Sequence, residues 1–310
     1  MNVAISACLY PEHGPDVDLL IRHSLTALYD AVQEKNSSYR WYEPALQERL
    51  QALRWIDDGL RQALGTPQLA LHYQPKVGLH PRQERSVEAL IRWTHPERGP
   101  VRPDQFIARC EANGMIIALG RWILDTAAVQ ARQWHAAGRS VRIAVNISAR
   151  QLDDPELLFR LQCAQEKACG LLDIELTESS VMNQNPRVHE LLTHAQAWGF
   201  GLYLDDFGTG YSSLAVLAQL PLSAIKIDRV FVQQIGQNER GLALLRSMIE
   251  LARALQLGVV AEGVETQEQA DFLRQHGVGQ VQGWLYAPAL PADPCLQWLD
   301  AFAKPGPSEG

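Results

Sequence analysis

From Leu69 onward the hydrophobic period of the chain switches repeatedly between two and 3.6 residues, and this alternation constrains the fold more than any other feature. Apolar runs at Leu69–Val77, Val87–Trp93, Arg142–Ser148, Leu172–Thr177, Phe200–Asp206, Ala224–Asp228, Val259–Glu265 and Gln280–Leu285 read as eight strands. Helical stretches lie between most of them, clearest at Ile116–Ala137, Pro186–Trp198, Glu239–Leu257 and Thr266–His276. Eight strands alternating with helices over roughly 230 residues predict an α/β fold, a TIM-like (β/α)8 barrel. The first connection, His80-Pro81-Arg82-Gln83-Glu84, is too short for a helix and joins two strands as a hairpin would. The first strand is therefore expected to run antiparallel to the second. An open doubly wound sheet is the alternative, but no Gly-x-Gly-x-x-Gly phosphate loop follows a first strand.

The chain before Leu69 reads differently. Asn2–Leu9 is a short apolar strand, and a helix follows with Leu19, Leu20, His23, Leu25, Leu28 and Tyr29 at helical spacing. Ser37–Tyr42 adds a possible strand, yet about 40 residues are too few to bury a core alone. Between Glu43 and Leu64, Leu46, Leu50, Leu53, Ile56 and Leu60 mark an amphipathic connecting helix stopped by Gly65-Thr66-Pro67. The domain boundaries expected are 1–43, a connecting helix at 44–66, a barrel at 67–303 and a disordered tail at 304–310.

The net charge of −7 argues against a surface built for DNA or RNA, which would be basic. Five scattered cysteines, none in a Cys-x-x-Cys pair, argue against a zinc ribbon or disulfide framework and fit a reducing, cytoplasmic compartment. The first ten residues lack a signal-peptide pattern, and no segment approaches the roughly 20 apolar residues that a membrane span requires.

Barrel active sites form at the C-terminal ends of the strands. Polar residues recur toward those ends: Gln74; Glu88 and Arg92, which share a face with Leu90; Asn146 and Ser148; Glu175 and Thr177, with Glu178 beyond; Asp205 and Asp206; Lys226 and Asp228; Glu262 and Glu265; Gln282. Each alone has a plain explanation, a solvated carboxylate or a surface ion pair. The run Tyr203-Leu204-Asp205-Asp206-Phe207-Gly208-Thr209-Gly210-Tyr211-Ser212-Ser213 alone is equally a strand followed by a polar turn. Together they place five or six carboxylates around one mouth, where mutual repulsion would raise their pKa values unless cations neutralise them.

The ligand set is all oxygen, without histidine or cysteine, and suits Mg2+ or Mn2+ rather than zinc. Adjacent aspartates point to opposite faces of a strand, so a bend there would let Asp205 and Asp206 reach two ions, about 3.5–4 Å apart in enzymes that open phosphate esters. Glycines at 208 and 210 permit such a bend. Lys226 would offset charge on a phosphoryl transition state, and Arg92 can grip a phosphate or a guanine edge with two bonds. This chemistry reads as a two-metal phosphohydrolase.

The same residues carry a resemblance. Glu88-Ala89-Leu90 within Glu88-x-Leu90-x-Arg92 resembles the signature of EAL domains, the cyclic di-GMP phosphodiesterases. The similarity runs from Leu71-His72-Tyr73-Gln74-Pro75 to Val281-Gln282-Gly283. It takes in Asn146-Ile147-Ser148, Glu175-Leu176-Thr177-Glu178, Asp205–Ser213, Lys226-Ile227-Asp228-Arg229 and Ala261-Glu262-Gly263-Val264-Glu265. It implies hydrolysis of cyclic di-GMP to linear pGpG with two Mg2+ or Mn2+ ions, inhibited by Ca2+. By position, Glu88, Asn146, Glu175 and Asp205 would hold one metal; Asp205 would bridge to a second, completed by Asp206 and Glu262. Glu88, Lys226 and Glu262 are the implied catalytic set, with Lys226 on the water or scissile phosphate and Glu262 as general base. Gln74, Leu90, Arg92, Asp228 and Gln282 would hold substrate, while Glu178 and Glu265 would anchor the Asp205–Ser213 loop. In the family that loop links the site to a dimer interface, so a homodimer through the barrel is expected. Gly279 and Trp284 depart from the common Asp and Tyr or Phe, and neither is an implied ligand.

Upstream, Cys8-Leu9-Tyr10-Pro11-Glu12-His13-Gly14 followed by Leu25-Thr26-Ala27-Leu28-Tyr29 is similar to the end of a GGDEF (diguanylate cyclase) domain. The signature loop of that family is absent, so no cyclase activity carries over; upstream GGDEF or sensor domains, with possible membrane attachment, are the implied neighbours. Three rivals stand beside the hydrolase. A catalytically silent cyclic di-GMP receptor typically lacks ligands that are all present here. An enolase-like barrel has no use for Asp206 or Arg92. An interaction scaffold would use the barrel as a platform only.

Overall fold

Strand after strand, the alternating pattern closes on itself in the computed structural model, which describes residues 2–32, 37–80, 85–181, 186–209 and 214–302. The chain divides after Leu64 into two units. In the first, β1 (Ala4–Ala7) pairs in parallel with β2 (Ser38–Trp41), and α1 (Val17–Val32) makes the crossover. Ala27 and Ala31 form the buried stripe of α1, and Tyr42 stacks on His23 with ring centroids 3.8 Å apart. The amphipathic helix α2 (Pro44–Ala63) has proline in its first turn, where no amide is needed, and buries Ile56, Leu60 and Ala63.

The second unit begins with the hairpin β3 (Leu69–Gly78) and β4 (Ser86–His95), followed by β5 (Gly99–Val101), α3 (Pro103–Asn113) and α4 (Ile116–Ala136). Then come β6 (Arg142–Ile147), α5 (Ala149–Leu152), α6 (Leu157–Lys167), β7 (Leu172–Thr177), α7 (Glu178–Val181), α8 (Pro186–Ala197) and β8 (Gly201–Phe207). The chain continues through α9 (Leu214–Leu217), β9 (Ala224–Ile227), α10 (Arg229–Val232), α11 (Glu239–Ala254) and β10 (Gly258–Ala261). It ends with α12 (Gln267–Gln275), β11 (Gln280–Val281) and α13 (Ala292–Phe302).

Around the ring the order is β3-β11-β10-β9-β8-β7-β6-β4, and β4 returns to β3 to close the barrel. β3 is antiparallel to both neighbours, with Gln74 opposite Glu88 and Val77 opposite Val281. The antiparallel first strand is therefore as expected, although connecting residues 81–84 lie outside the described residues. Parallel strands are covered on both faces: Ile143, Val145, Leu172, Ile174, Leu202 and Leu204 are buried on one, and Ala144, Asp173 and Glu175 on the other. At the N-terminal ends, Arg142 joins Asp173, whose carboxylate also accepts the Gly201 N–H at 2.8 Å. There Asp300 of α13 takes Arg85 at 2.7 Å and Arg139 at 3.0 Å.

Two strands are shorter than their apolar runs. Strand seven stops at Ala261 rather than Glu265, and strand eight at Val281 rather than Leu285. Gly263 turns the chain with φ +66°, and Gly283 lies so close to Val264 that a Cβ there would be 2.1 Å from the Val264 carbonyl oxygen. The two segments cross instead of continuing side by side, tied by Val264 N–H to Gln282 O and Leu285 N–H to Val264 O. Among the described residues no helix is long and apolar enough to cross a membrane, and the five cysteines are free. The tail expected at 304–310 lies outside the described residues.

Candidate active site

Lys226 organises the interior. It is the third residue of β9, 1% exposed, and its ammonium meets four carboxylates from four different strands or strand ends. Nζ lies 2.6 Å from Glu175, 2.6 Å from Glu262, 3.2 Å from Asp205 and 3.5 Å from Glu88. Glu88 and Glu175 are 5% and 0% exposed, so they sit inside the barrel rather than on its rim. Buried carboxylates must be paired, and Lys226, even with Lys76 on Glu175, does not neutralise four of them.

The protonation equilibria record that imbalance. Burial pushes Glu262 up to about 8, with Asp205 and Glu88 adding to the shift against the pull of Lys226. Glu88 is raised by burial and then by Glu175, and Asp205 by burial and then by Glu175 and Asp206. Glu175 is the exception: burial would raise it, but Lys226 and Lys76 together hold it down at about 2. Burial would lower Lys226, yet the surrounding carboxylates carry it well above the ordinary lysine range.

Around this core the amides form a chain of bonds. Asn146 donates through Nδ2 to Glu88 at 2.8 Å, and Gln282 donates through Nε2 to Glu88 at 2.7 Å and to Gln74 at 3.0 Å. Gln74 in turn donates to the Ala287 carbonyl. The buried Oε1 of Gln282 has no partner, which leaves one acceptor for a ligand. Leu90, Gln74, Glu88, Asp205, Glu262 and Gln282 line the cleft above, with Arg229, Glu265 and the 75% exposed ring of Trp284 at its mouth. Arg92 is half-buried on the same face of β4 and donates to the Ile91 carbonyl.

The two adjacent aspartates diverge as the bend required. Between Leu204 and Phe207 the β8–β9 register slips, and Asp206 takes a left-handed conformation with φ +54°. Such a backbone is unusual for a non-glycine residue and Asp tolerates it better than most. Asp205 turns inward to Lys226, whereas Asp206 stays largely exposed, its pKa raised by the partial burial that remains and then by Asp228. Asp228 also caps α10 by accepting the Val230 N–H at 2.8 Å.

Glu178 opens α7, is buried, and accepts the Gly208 N–H through Oε2 at 3.2 Å. Gly208 cannot readily be replaced: its φ is +93°, and a Cβ would meet Met248 Cε at 1.9 Å. Residues 210–213 of the loop lie outside the described residues. Glu265 is exposed at the mouth, with its own N–H donated to Gln269.

One buried cation was not anticipated. Lys76 on β3 lies 3.0 Å from Glu175, with both side chains 0% exposed. A lysine between Pro75 and Val77, two residues after Gln74, was the only visible signal.

The donor set fits hard divalent cations: four carboxylates, one asparagine amide and a further aspartate next to the cluster. Among the described residues, no three carboxylate, histidine or cysteine groups are drawn into a ready metal cage, and Lys226 holds the centre. Burial, and after it the neighbouring carboxylates, lift Glu88, Asp205 and Glu262, and added cations would offset both.

An EAL domain family model matches residues 57–289. The cyclic di-GMP phosphodiesterase PdeR of Escherichia coli (strain K12) is 39% identical over 307 residues, covering 98% of this chain and 46% of PdeR. The cyclic di-GMP phosphodiesterase NbdA of Pseudomonas aeruginosa is 38% identical over 307 residues, covering 97% of this chain and 39% of NbdA. The chain thus spans less than half the length of these relatives. The solved PaMucR phosphodiesterase in its c-di-GMP complex superposes with TM-score 0.73 at 40% identity, covering 77% of this chain and 99% of that one. With the family model matched across the whole barrel, this chain belongs to the EAL domain family.

Proposed function

We propose that this chain hydrolyses cyclic di-GMP to linear pGpG at the mouth of the barrel, with two Mg2+ or Mn2+ ions. The observation that carries this reading is the gathering of Glu88, Glu175, Asp205 and Glu262 on one buried lysine beneath an open cleft. Glu88, Asn146, Glu175 and Asp205 would hold one ion, and Asp205, Asp206 and Glu262 the other. Bound there, the ions would supply an activated water and offset charge on the phosphate. Lys226 remains protonated throughout and faces the charge that develops on the phosphoryl oxygens. Glu262 carries a carboxylate lifted toward neutrality, suited to accept the proton of the attacking water. Gln282, Gln74, Leu90 and Arg92 line the path by which a guanine nucleotide would lie, and Asp228 closes its edge.

Glu178, bonded to the Gly208 amide, would transmit loop position to Asp205 and Asp206, and Glu265 would support that loop from the mouth. A homodimer through the barrel belongs to the same reading. The first unit is read as the end of a GGDEF-like domain from its Cys8–Gly14 and Leu25–Tyr29 segments; its two-stranded sheet leaves Ile5, Tyr39 and Trp41 exposed.

Turnover of cyclic di-GMP by the purified chain across a metal series tests this. Linear product with Mg2+ or Mn2+, suppressed by Ca2+, is the expected result. Tight binding with intact ligand at saturating metal would replace the hydrolase with a receptor.

A further inference from the structure

Lys76 shares the inward face of β3 with Gln74 by the two-residue period of a strand. Because β3 runs antiparallel, the step from Gln74 to Lys76 descends into the barrel: Gln74 pairs with Glu88, and Lys76 with Ser86 nearer the start of β4. The ammonium therefore reaches the carboxylate cluster from the floor. It crosses to β7, three strands away around the ring, and ends 3.0 Å from Oε1 of Glu175. Its Nζ also sits 4.3 Å from the ring centroid of Tyr203, the register partner of Glu175 across β7 and β8.

These contacts divide the two oxygens of Glu175. A buried ammonium cannot give up its partner without leaving an uncompensated charge, so Oε1 is committed to Lys76. Only Oε2 faces the centre, where it meets Lys226 at 2.6 Å. The aromatic face beside Lys76 fixes the ammonium laterally.

We propose that Lys76 is a positioning residue that withholds Oε1 and so makes Glu175 a one-oxygen ligand, favouring Mg2+ over Ca2+. This rests on the two-metal reading of the site. Mg2+ requires near-octahedral geometry with few, well-placed oxygens, whereas Ca2+ takes more ligands and accepts both oxygens of a carboxylate. With Lys76 removed, Oε1 is released and Glu175 can turn both oxygens to a larger ion.

The test is calorimetric titration of the full chain with Mg2+ and Ca2+ separately, without nucleotide. Lys76→Met should raise the ratio of Ca2+ to Mg2+ affinity by at least about tenfold. Lys76→Arg, which can donate to the same oxygen, should keep the wild-type ratio. Tyr203→Leu leaves both charges in place but removes the ring; it should shift the ratio the same way by a smaller factor, and serves if Lys76→Met does not fold. An unchanged ratio in folded Lys76→Met, or in Tyr203→Leu if the former does not fold, overturns the proposal. A wild-type chain that binds neither cation overturns the two-metal reading instead.

Discussion

At the scale of single residues, the site is a problem of charge balance. Glu88 touches Lys226, Asn146 and Gln282 at once, so its removal takes a carboxylate from the centre and an acceptor from two amides. Glu88→Ala is expected to lower turnover at least ~100-fold, since even the loss of outer partners in metal sites costs 10–100-fold. Activity near the wild-type level in that variant would remove Glu88 from the site. A pH effect follows from the same balance. Glu175, held at about 2, stabilises the fold above its unfolded pKa, and that contribution is lost as pH falls from about 4.5 toward 2. Glu262, raised to about 8, has the opposite sign: the folded state keeps a proton that the unfolded chain has released. Metal-free protein should therefore lose melting temperature as pH rises from about 4.5 to 8, and divalent metal should reverse the trend. Thermal melts across that range, with and without Mn2+, decide it; a rising metal-free curve would contradict the raised Glu262.

At the scale of elements, the strands were largely legible and their depth was not. Period-two runs located β3, β4, β6, β7 and β8 within a residue or two, because one face of each strand is apolar and the other carries the polar residues of the interior. Charged residues, however, read as rim residues, since charge usually stays in water. Glu88, Glu175 and Lys226 are instead interior, which only their mutual pairing allows. Lys76 was missed for a related reason: on an antiparallel strand, a late position lies toward the floor, where no site residue was sought. Strand eight was overextended because nothing in its apolar run announces the close approach of Gly283 to Val264. Two predictions belong to elements. Asp173 is fully buried and joins β6, β7 and β8 through Arg142 and the Gly201 amide. Asp173→Ala should cost about 3–5 kcal/mol in chemical denaturation, as for a broken buried pair. Its turnover per folded molecule should stay unchanged, because the pair lies at the opposite end from the cleft. Gly208→Ala forces a side chain into a left-handed backbone and against Met248, a strain of about 1–3 kcal/mol. That strain falls on the loop held by Glu178, so kcat should drop more than the affinity for cyclic di-GMP; unchanged kcat would detach the loop from the chemistry.

At the scale of the whole molecule, the barrel explains why residues between 74 and 282 meet at one point. Closure through the antiparallel β3 brings Gln74 against Gln282, and the parallel strands bring Glu88, Glu175, Asp205 and Lys226 to one interior level. Four carboxylates, two of them fully interior, against the two buried lysines Lys226 and Lys76 are costly unless further cations join them. On the proposed function, the cluster exists for two such ions. Counting them is the most direct test: the chelator-treated chain is titrated with Mn2+ in a calorimeter, without nucleotide. Two ions bound per chain are expected, with fewer in Glu88→Ala. A folded wild-type chain that takes up no Mn2+ would contradict it.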